Sequence, residues 1–171
     1  HSIRRRQRQM CIRDRSPSLS SLERNLCKWF CQKLGLGDLS GGVAASGGSL
    51  SNLMALVMAR NISGLGTDPK AVFFASHDCH VSFSKAFRIM GLKQESLQKV
   101  STDENGALKI SSLRTSLNKI KAQGKKCFAV VATAGTTVRG AIDPISEIAK
   151  FCKKENVWPV SYTHLTLPTT D

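Results

Sequence analysis

Residues 41–60, GGVAASGGSLSNLMALVMAR, constrain the fold more than any other stretch of the chain. A short apolar run, Val43-Ala44-Ala45, meets Ser46-Gly47-Gly48-Ser49, after which Leu50, Leu53, Met54, Val57 and Met58 recur at helical spacing. The order is therefore strand or extended loop, glycine turn, helix. A helix start leaves backbone N–H groups unpaired and carries partial positive charge, so it can receive an anion. Glycines allow a phosphate close to the backbone, and the Ser49 hydroxyl can complete such a cradle. The same residues also describe an ordinary capped helix after a tight turn. On these residues alone both readings stay open.

The two ends are read as foreign to the fold. Residues 5–15, RRQRQMCIRDR, back-translate to a sequencing-library transposase adapter. The reverse complement of the same DNA, in a shifted frame, encodes residues 160–169, VSYTHLTLPT. One DNA element in two orientations accounts for both, so 1–15 and 159–171 are expected to be adapter-derived tails and are set aside. The native segment is then 16–158. Removing six arginines and two aspartates with the tails lowers the net charge from +13 to +9.

That correction changes what the charge implies. The arginine-rich start no longer reads as a nucleic-acid arm. The remaining lysines, among them Lys28, Lys33, Lys93, Lys99, Lys109, Lys119 and Lys125, are scattered without interleaved aromatics. A solvated basic surface is expected, ahead of an anionic ligand and then RNA. Cysteines 27, 31, 79, 127 and 152 are odd in number and lack metal-site spacing, which suits reduced thiols and no metal. With no signal peptide or membrane-spanning run in the sequence, a soluble cytoplasmic protein without a membrane partner is expected.

Along the chain, strands alternate with helices. Leu19, Leu22, Leu26, Trp29, Phe30 and Leu34 form a helical stripe before Gly35, read as core packing or a partner face. Ala71-Val72-Phe73-Phe74-Ala75 is a compact apolar strand of the kind buried on both faces of a parallel sheet. Residues 81–90 resume helical spacing, and residues 97–100 form a short strand. A helix over Leu113, Leu117 and Ile120 is expected to take Ser111 or Ser112 as its cap. Residues 127–132, CFAVVA, are the clearest strand, and Asp143-Pro144 are read as cap and first turn of a last helix. Val157-Trp158 begin another strand. The pattern predicts an α/β fold with a mainly parallel sheet. Ligands of such sheets sit beyond the carboxyl ends of the strands. The polar clusters 46–49, 76–80 and 133–137 are therefore expected to serve one pocket.

Three blocks, SGGSLSNLMALVMARN, FFASHDCHVSFSKAFRIMGL and VVATAGTTVRGAIDPISEIAKFCKKENVW, carry a resemblance. In order and spacing they resemble the pyridoxal-phosphate-dependent group II amino acid decarboxylases, over nearly all of residues 39–158. The resemblance implies an aspartate-aminotransferase-like (fold type I) large domain, present here only in part over 16–158. It implies pyridoxal 5′-phosphate as cofactor, an amino acid substrate converted to an amine and CO2, and a homodimer. By the same resemblance Gly48 and Ser49 hold the cofactor phosphate, His80 stacks on the pyridine ring as the catalytic histidine, and Thr133 lies beside the ring and its hydroxyl. His77 keeps a structural reading, while Thr136 and Thr137 are expected to shape their loop.

The family's aspartate that pairs with the pyridine nitrogen and its Schiff-base lysine are expected after the tryptophan strand, outside 16–158. Lys153 and Lys154 lie on the preceding helix and do not replace that lysine. The expectation is an inactive central fragment of an enzyme. The alternatives are another fold-type-I pyridoxal-phosphate lyase or transferase, a noncatalytic basic binding module, and a structural fragment that folds only inside its parent.

Overall fold

The computed structural model describes residues 17–137 and 139–163; the adapter reading of 1–15 and of 164–171 falls outside the described residues, whereas residues 159–162, set aside with the same tail, lie within the last strand of the sheet. The chain divides into two compact units, residues 1–46 and 47–171.

In the first unit, α1 (Pro17–Lys33) buries only Cys31 among its residues. The stripe expected to pack as core faces solvent, with Leu19, Leu22, Leu26, Trp29 and Phe30 all exposed. The core alternative is thus corrected, because among the described residues of this unit no strand or second helix covers the face. The Glu23 carboxylate accepts the Ala44 N–H at 2.8 Å, which holds residues 43–45 as a loop rather than a strand.

The second unit contains α2 (Gly48–Ile62), β1 (Ala71–Ser76), α3 (Val81–Ile89), β2 (Leu97–Val100), α4 (Ile110–Ala122), β3 (Lys126–Thr133), α5 (Ile145–Glu155) and β4 (Trp158–Tyr162). The strands form one sheet in the order β2-β1-β3-β4, every neighbouring pair parallel. This is the α/β architecture that the alternation implied. All of β1 is buried, as a strand covered on both faces must be.

Alternation along the strands builds two cores. Phe73, Ala75, Ala129, Val131 and Val160 pack with Leu56 and Ala59 of α2 and Phe83 and Phe87 of α3. Val72, Phe74, Val130 and Ala132 pack on the other face with Leu113, Leu117 and Ile120 of α4 and Ile148 and Phe151 of α5. Each fully buried Phe or Leu contributes about 1.5–3 kcal/mol of transfer free energy.

One irregularity matters for the site. Val72 pairs with Cys127 but Phe73 pairs with Ala129, so β3 carries an extra residue there. Phe128 and Ala129 consequently both join the α2/α3 core, and the later alternation of β3 is shifted by one. Thr133 then falls on the α2/α3 face.

Two capping expectations are overturned. α4 starts at Ile110 with Lys109 before it and no side-chain cap, so neither Ser111 nor Ser112 serves. The chain is already turned there, because Leu108 donates to Asp143 and Lys109 N–H to the Ser101 carbonyl. Pro144 precedes α5, again without a side-chain cap. Asp143 does not cap because its carboxylate is engaged across the loop with Leu108 and Thr133.

Candidate active site

The candidate site lies where β1, β3 and β4 end and α2 begins. α2 opens on Gly48 after the extended Gly47, whose carbonyl takes the Leu50 and Ser51 N–H groups, both at 3.1 Å. The N–H groups of a first helical turn have no carbonyl of their own helix to reach. A Cβ at Gly47 would meet nothing within 4 Å, and one at Gly48 only the Tyr162 ring edge at 3.9 Å. The glycines thus leave room over the helix start, and Ser49 is exposed beside it.

β1 runs through Ser76 into a turn that ends at His80. His80 caps α3 with its own ring: Nδ1 accepts the Ser82 N–H at 3.2 Å and lies 2.9 Å from Ser82 Oγ. The His80 ring centroid is 5.8 Å from that of Tyr162, the planes 33° apart.

β3 ends at Thr133, which pairs in register with Tyr162 of β4. The Ala134 N–H donates to the Tyr162 carbonyl at 2.7 Å. The Thr133 hydroxyl is buried, and among the described residues it has no hydrogen-bond partner. Gly48 and His80 therefore both lie near the Tyr162 ring, and Thr133 is the sheet partner of the same residue. Ser49 stands next to Gly48 on the first turn of α2.

Other expected residues stay outside this group. His77 is exposed, and its carbonyl accepts Lys99 Nζ at 2.9 Å. Thr136 shapes the loop, its hydroxyl accepting the Ala141 N–H at 3.1 Å and its carbonyl the Gly140 N–H at 2.9 Å. The loop 103–106 packs close by: Gly106 has φ +84°, and a Cβ there would sit 3.2 Å from Arg139 Cδ and 3.3 Å from Ala141 Cβ. Only glycine suits both the backbone angle and that approach. Arg139 in turn lies 3.8 Å from the Asp78 carboxylate.

Burial sets the titration of the groups around the site. It pushes the Cys79 thiol up, with Lys99 opposing, and raises the Tyr162 phenol. It also raises the Asp143 carboxyl, against the two backbone N–H groups that favour its charged form. Among the described residues no cluster of His, Cys, Asp and Glu could hold a metal ion.

Sequence reasoning gave Asn52 and Ser82 no part, read Asp143 as a helix cap, and set Tyr162 aside with the tail. Asn52 offered a signal, since it occupies the buried face of α2 in series with Leu56 and Ala59. Ser82 and Asp143 depend on pairings between distant segments, which spacing does not reveal.

The arrangement suits a phosphorylated aromatic molecule. It offers an open helix start for the phosphate, an imidazole that already packs against one aromatic ring, that of Tyr162, and a buried hydroxyl in need of a partner. Comparison with known proteins agrees. The pyridoxal-dependent decarboxylase conserved domain matches residues 7–159. The chain is 35% identical over 137 residues to an aromatic-L-amino-acid decarboxylase of Bacillus atrophaeus, covering 80% of this chain and 28% of that protein. It is 36% identical over 124 residues to human cysteine sulfinic acid decarboxylase, covering 68% and 25% respectively. The glutamate decarboxylase domain of a Vibrio parahaemolyticus diaminobutyrate-pyruvate transaminase and L-2,4-diaminobutyrate decarboxylase superposes with a TM-score of 0.83 at 29% identity, covering 89% of this chain and 36% of that one.

The sheet and its site thus define a fold-type-I pyridoxal-phosphate domain. The chain belongs to the pyridoxal-dependent decarboxylase family. It spans between a quarter and about a third of the length of these relatives.

Proposed function

We propose that the protein carrying this chain is a pyridoxal 5′-phosphate-dependent amino acid decarboxylase, a carboxy-lyase that converts an L-amino acid to an amine and CO2. The observation that carries this reading is the Thr133 hydroxyl, buried and without a partner among the described residues, at the strand end paired with Tyr162, whose ring lies near His80 and Gly48. A buried hydroxyl left unsatisfied costs about 1–3 kcal/mol, which a ligand hydrogen bond would recover.

Bound pyridoxal phosphate supplies the electron sink for the pair left behind when CO2 departs. The protein supplies position and field. The Gly48 and Ser49 N–H groups, the Ser49 hydroxyl and the partial positive charge of the α2 start hold the phosphate. With the cofactor bound, His80 would face its ring and hold the plane, and the Thr133 hydroxyl would be free to donate to the ring's hydroxyl oxygen. Holding the ring in place would orient the substrate for loss of its carboxylate.

The ring-nitrogen aspartate and the Schiff-base lysine belong, on this reading, to segments of the parent outside 16–158, and the 171-residue chain does not turn over substrate by itself. The parent is a cytoplasmic homodimer. The thiols of Cys27, Cys31, Cys79, Cys127 and Cys152 are all free, which suits a reducing compartment. The substrate side chain is contacted from outside this segment.

The test uses the full-length parent, incubated with carboxyl-labelled aromatic, acidic and diamino acids. Labelled CO2 released from one class, and only with added pyridoxal phosphate, is the expected result. Amino-group transfer without CO2 release would overturn the reading.

A further inference from the structure

The reading above gives His80 the face of the ring, and the present inference deepens it. Behind His80 lies a buried polar chain that packing does not call for. Asn52, Leu56 and Ala59 are the buried residues of α2, and Asn52 takes a position where an apolar side chain would pack more cheaply. It is 5% exposed, and Ser82 in the first turn of α3 is 2% exposed. Asn52 Nδ2 donates to Ser82 Oγ at 3.0 Å. Ser82 Oγ lies 2.9 Å from His80 Nδ1, and the Ser82 N–H donates to the same nitrogen at 3.2 Å.

The chemistry of the donors fixes every direction in this chain. A backbone N–H only donates, so Nδ1 offers its lone pair. The Asn52 amide nitrogen only donates, so the Ser82 oxygen accepts there and its single proton turns to Nδ1. The reverse amide orientation would take the Ser82 proton and set two lone pairs against each other at 2.9 Å. A neutral imidazole that accepts at Nδ1 carries its proton on Nε2. Asn52 also sits one helical turn beyond Gly48, so the chain that sets the tautomer ties the ring to the start of α2.

We infer that Asn52 and Ser82 are positioning residues, which lock His80 as the Nε2–H tautomer and hold its ring at a fixed offset from the helix start that takes the phosphate. The substitution Asn52→Asp reverses the logic. Its carboxylate accepts the Ser82 proton, the Ser82 oxygen presents a lone pair to the ring, and His80 is driven to the Nδ1–H form, giving up the longer 3.2 Å bond from the Ser82 N–H.

The experiment is a long-range proton–nitrogen NMR spectrum of the 171-residue chain labelled with 15N-histidine, the His80 signals assigned by their loss in His80→Gln. The parent is expected to show His80 on Nε2–H, Asn52→Asp above the carboxylate range mostly Nδ1–H, Ser82→Ala a mixture, and Ser82→Thr the parent pattern. If Asn52→Asp does not fold, the Ser82→Ala and Ser82→Thr pair decides. His80 on Nδ1–H in the parent, or an unchanged tautomer in the folded Asn52→Asp or Ser82→Ala protein, would overturn the inference. Titration of the same proteins separates this inference from the cofactor reading. Asn52→Asp is expected to weaken pyridoxal phosphate about tenfold and leave inorganic phosphate unaffected. If no protein binds pyridoxal phosphate, the cofactor reading falls while the tautomer still decides the relay.

Discussion

Asp143 and Thr133 hold each other twice: Asp143 Oδ2 accepts the Thr133 N–H at 2.7 Å, and the Asp143 N–H donates to the Thr133 carbonyl at 2.9 Å. The second carboxylate oxygen takes the Leu108 N–H at 2.7 Å. One side chain thus joins the end of β3, the entrance to α5 and the approach to α4. Asp143→Asn keeps one acceptor but turns an amide donor toward the other N–H, a loss of about 1–3 kcal/mol in urea unfolding. Asp143→Ala strands both N–H groups and costs roughly twice as much.

The same carboxyl carries a pH signature. Burial raises it more than its hydrogen bonds lower it, so the folded chain holds this proton more tightly than the unfolded chain does. Its contribution to stability is therefore present below the usual carboxylate range and is lost across the window from that range up through the raised value as pH rises. Unfolding free energies measured across that window in the parent and in Asp143→Asn should show the decline in the parent alone.

Thr133 offers a test in which stability and binding move apart. Thr133→Val exchanges a buried, unpartnered hydroxyl for a methyl of the same shape. Without ligand the variant should be as stable as the parent or more stable by about 1 kcal/mol. Its affinity for pyridoxal phosphate should fall roughly fivefold, the worth of one neutral hydrogen bond. A loss of stability, or unchanged affinity, would remove Thr133 from the site.

Much of this was legible in the sequence, for reasons that can be named. The strand at residues 71–75 announced itself because burial on both faces leaves no polar position to interrupt the run. Gly48, Ser49, His80 and Thr133 were named through the resemblance; the residues themselves left 46–49 open between an anion site and an ordinary capped helix. The orientation of Thr133 was not, because it depends on the extra residue of β3 beside Val72, and a bulge leaves no mark in composition. The role of Asp143 was misread for a related reason. Asp before Pro is locally a helix cap, and only the arrival of Leu108 from 35 residues away takes its carboxylate elsewhere. The relay through Asn52 and Ser82 crosses 30 residues of chain, so spacing gave no sign of it.

The thiols should separate sharply in a labelling experiment. Burial pushes Cys152 up to about 12 and raises Cys127, whose Sγ also lies 3.4 Å from the Ala129 carbonyl. At about pH 8 the folded Cys152 holds roughly a thousandfold less thiolate than it does unfolded. Both thiols should stay unmodified by a disulfide reagent in buffer and react at once in urea, as read by mass spectrometry of the peptides. Rapid native labelling of Cys152 would show that the α5 side of the core opens readily.

Tyr162 decides how much room the site has. Its ring stands 5.8 Å from His80, meets Phe83 edge-on at 5.7 Å, and would lie 3.9 Å from a Cβ at Gly48. Any ring that lies against His80 while its phosphate reaches the start of α2 must enter the same space. Tyr162→Ala should cost roughly 1–3 kcal/mol in urea unfolding, because it removes a packed aromatic. It should nonetheless raise the affinity for pyridoxal phosphate, by about tenfold if the displaced contacts are worth 1.4 kcal/mol. Tyr162→Phe keeps the ring and should leave the affinity where it was, and inorganic phosphate should bind all three proteins alike. Equal pyridoxal phosphate affinity in the Ala variant and the parent would mean that the ring and the cofactor occupy different places, and His80 would then need another partner.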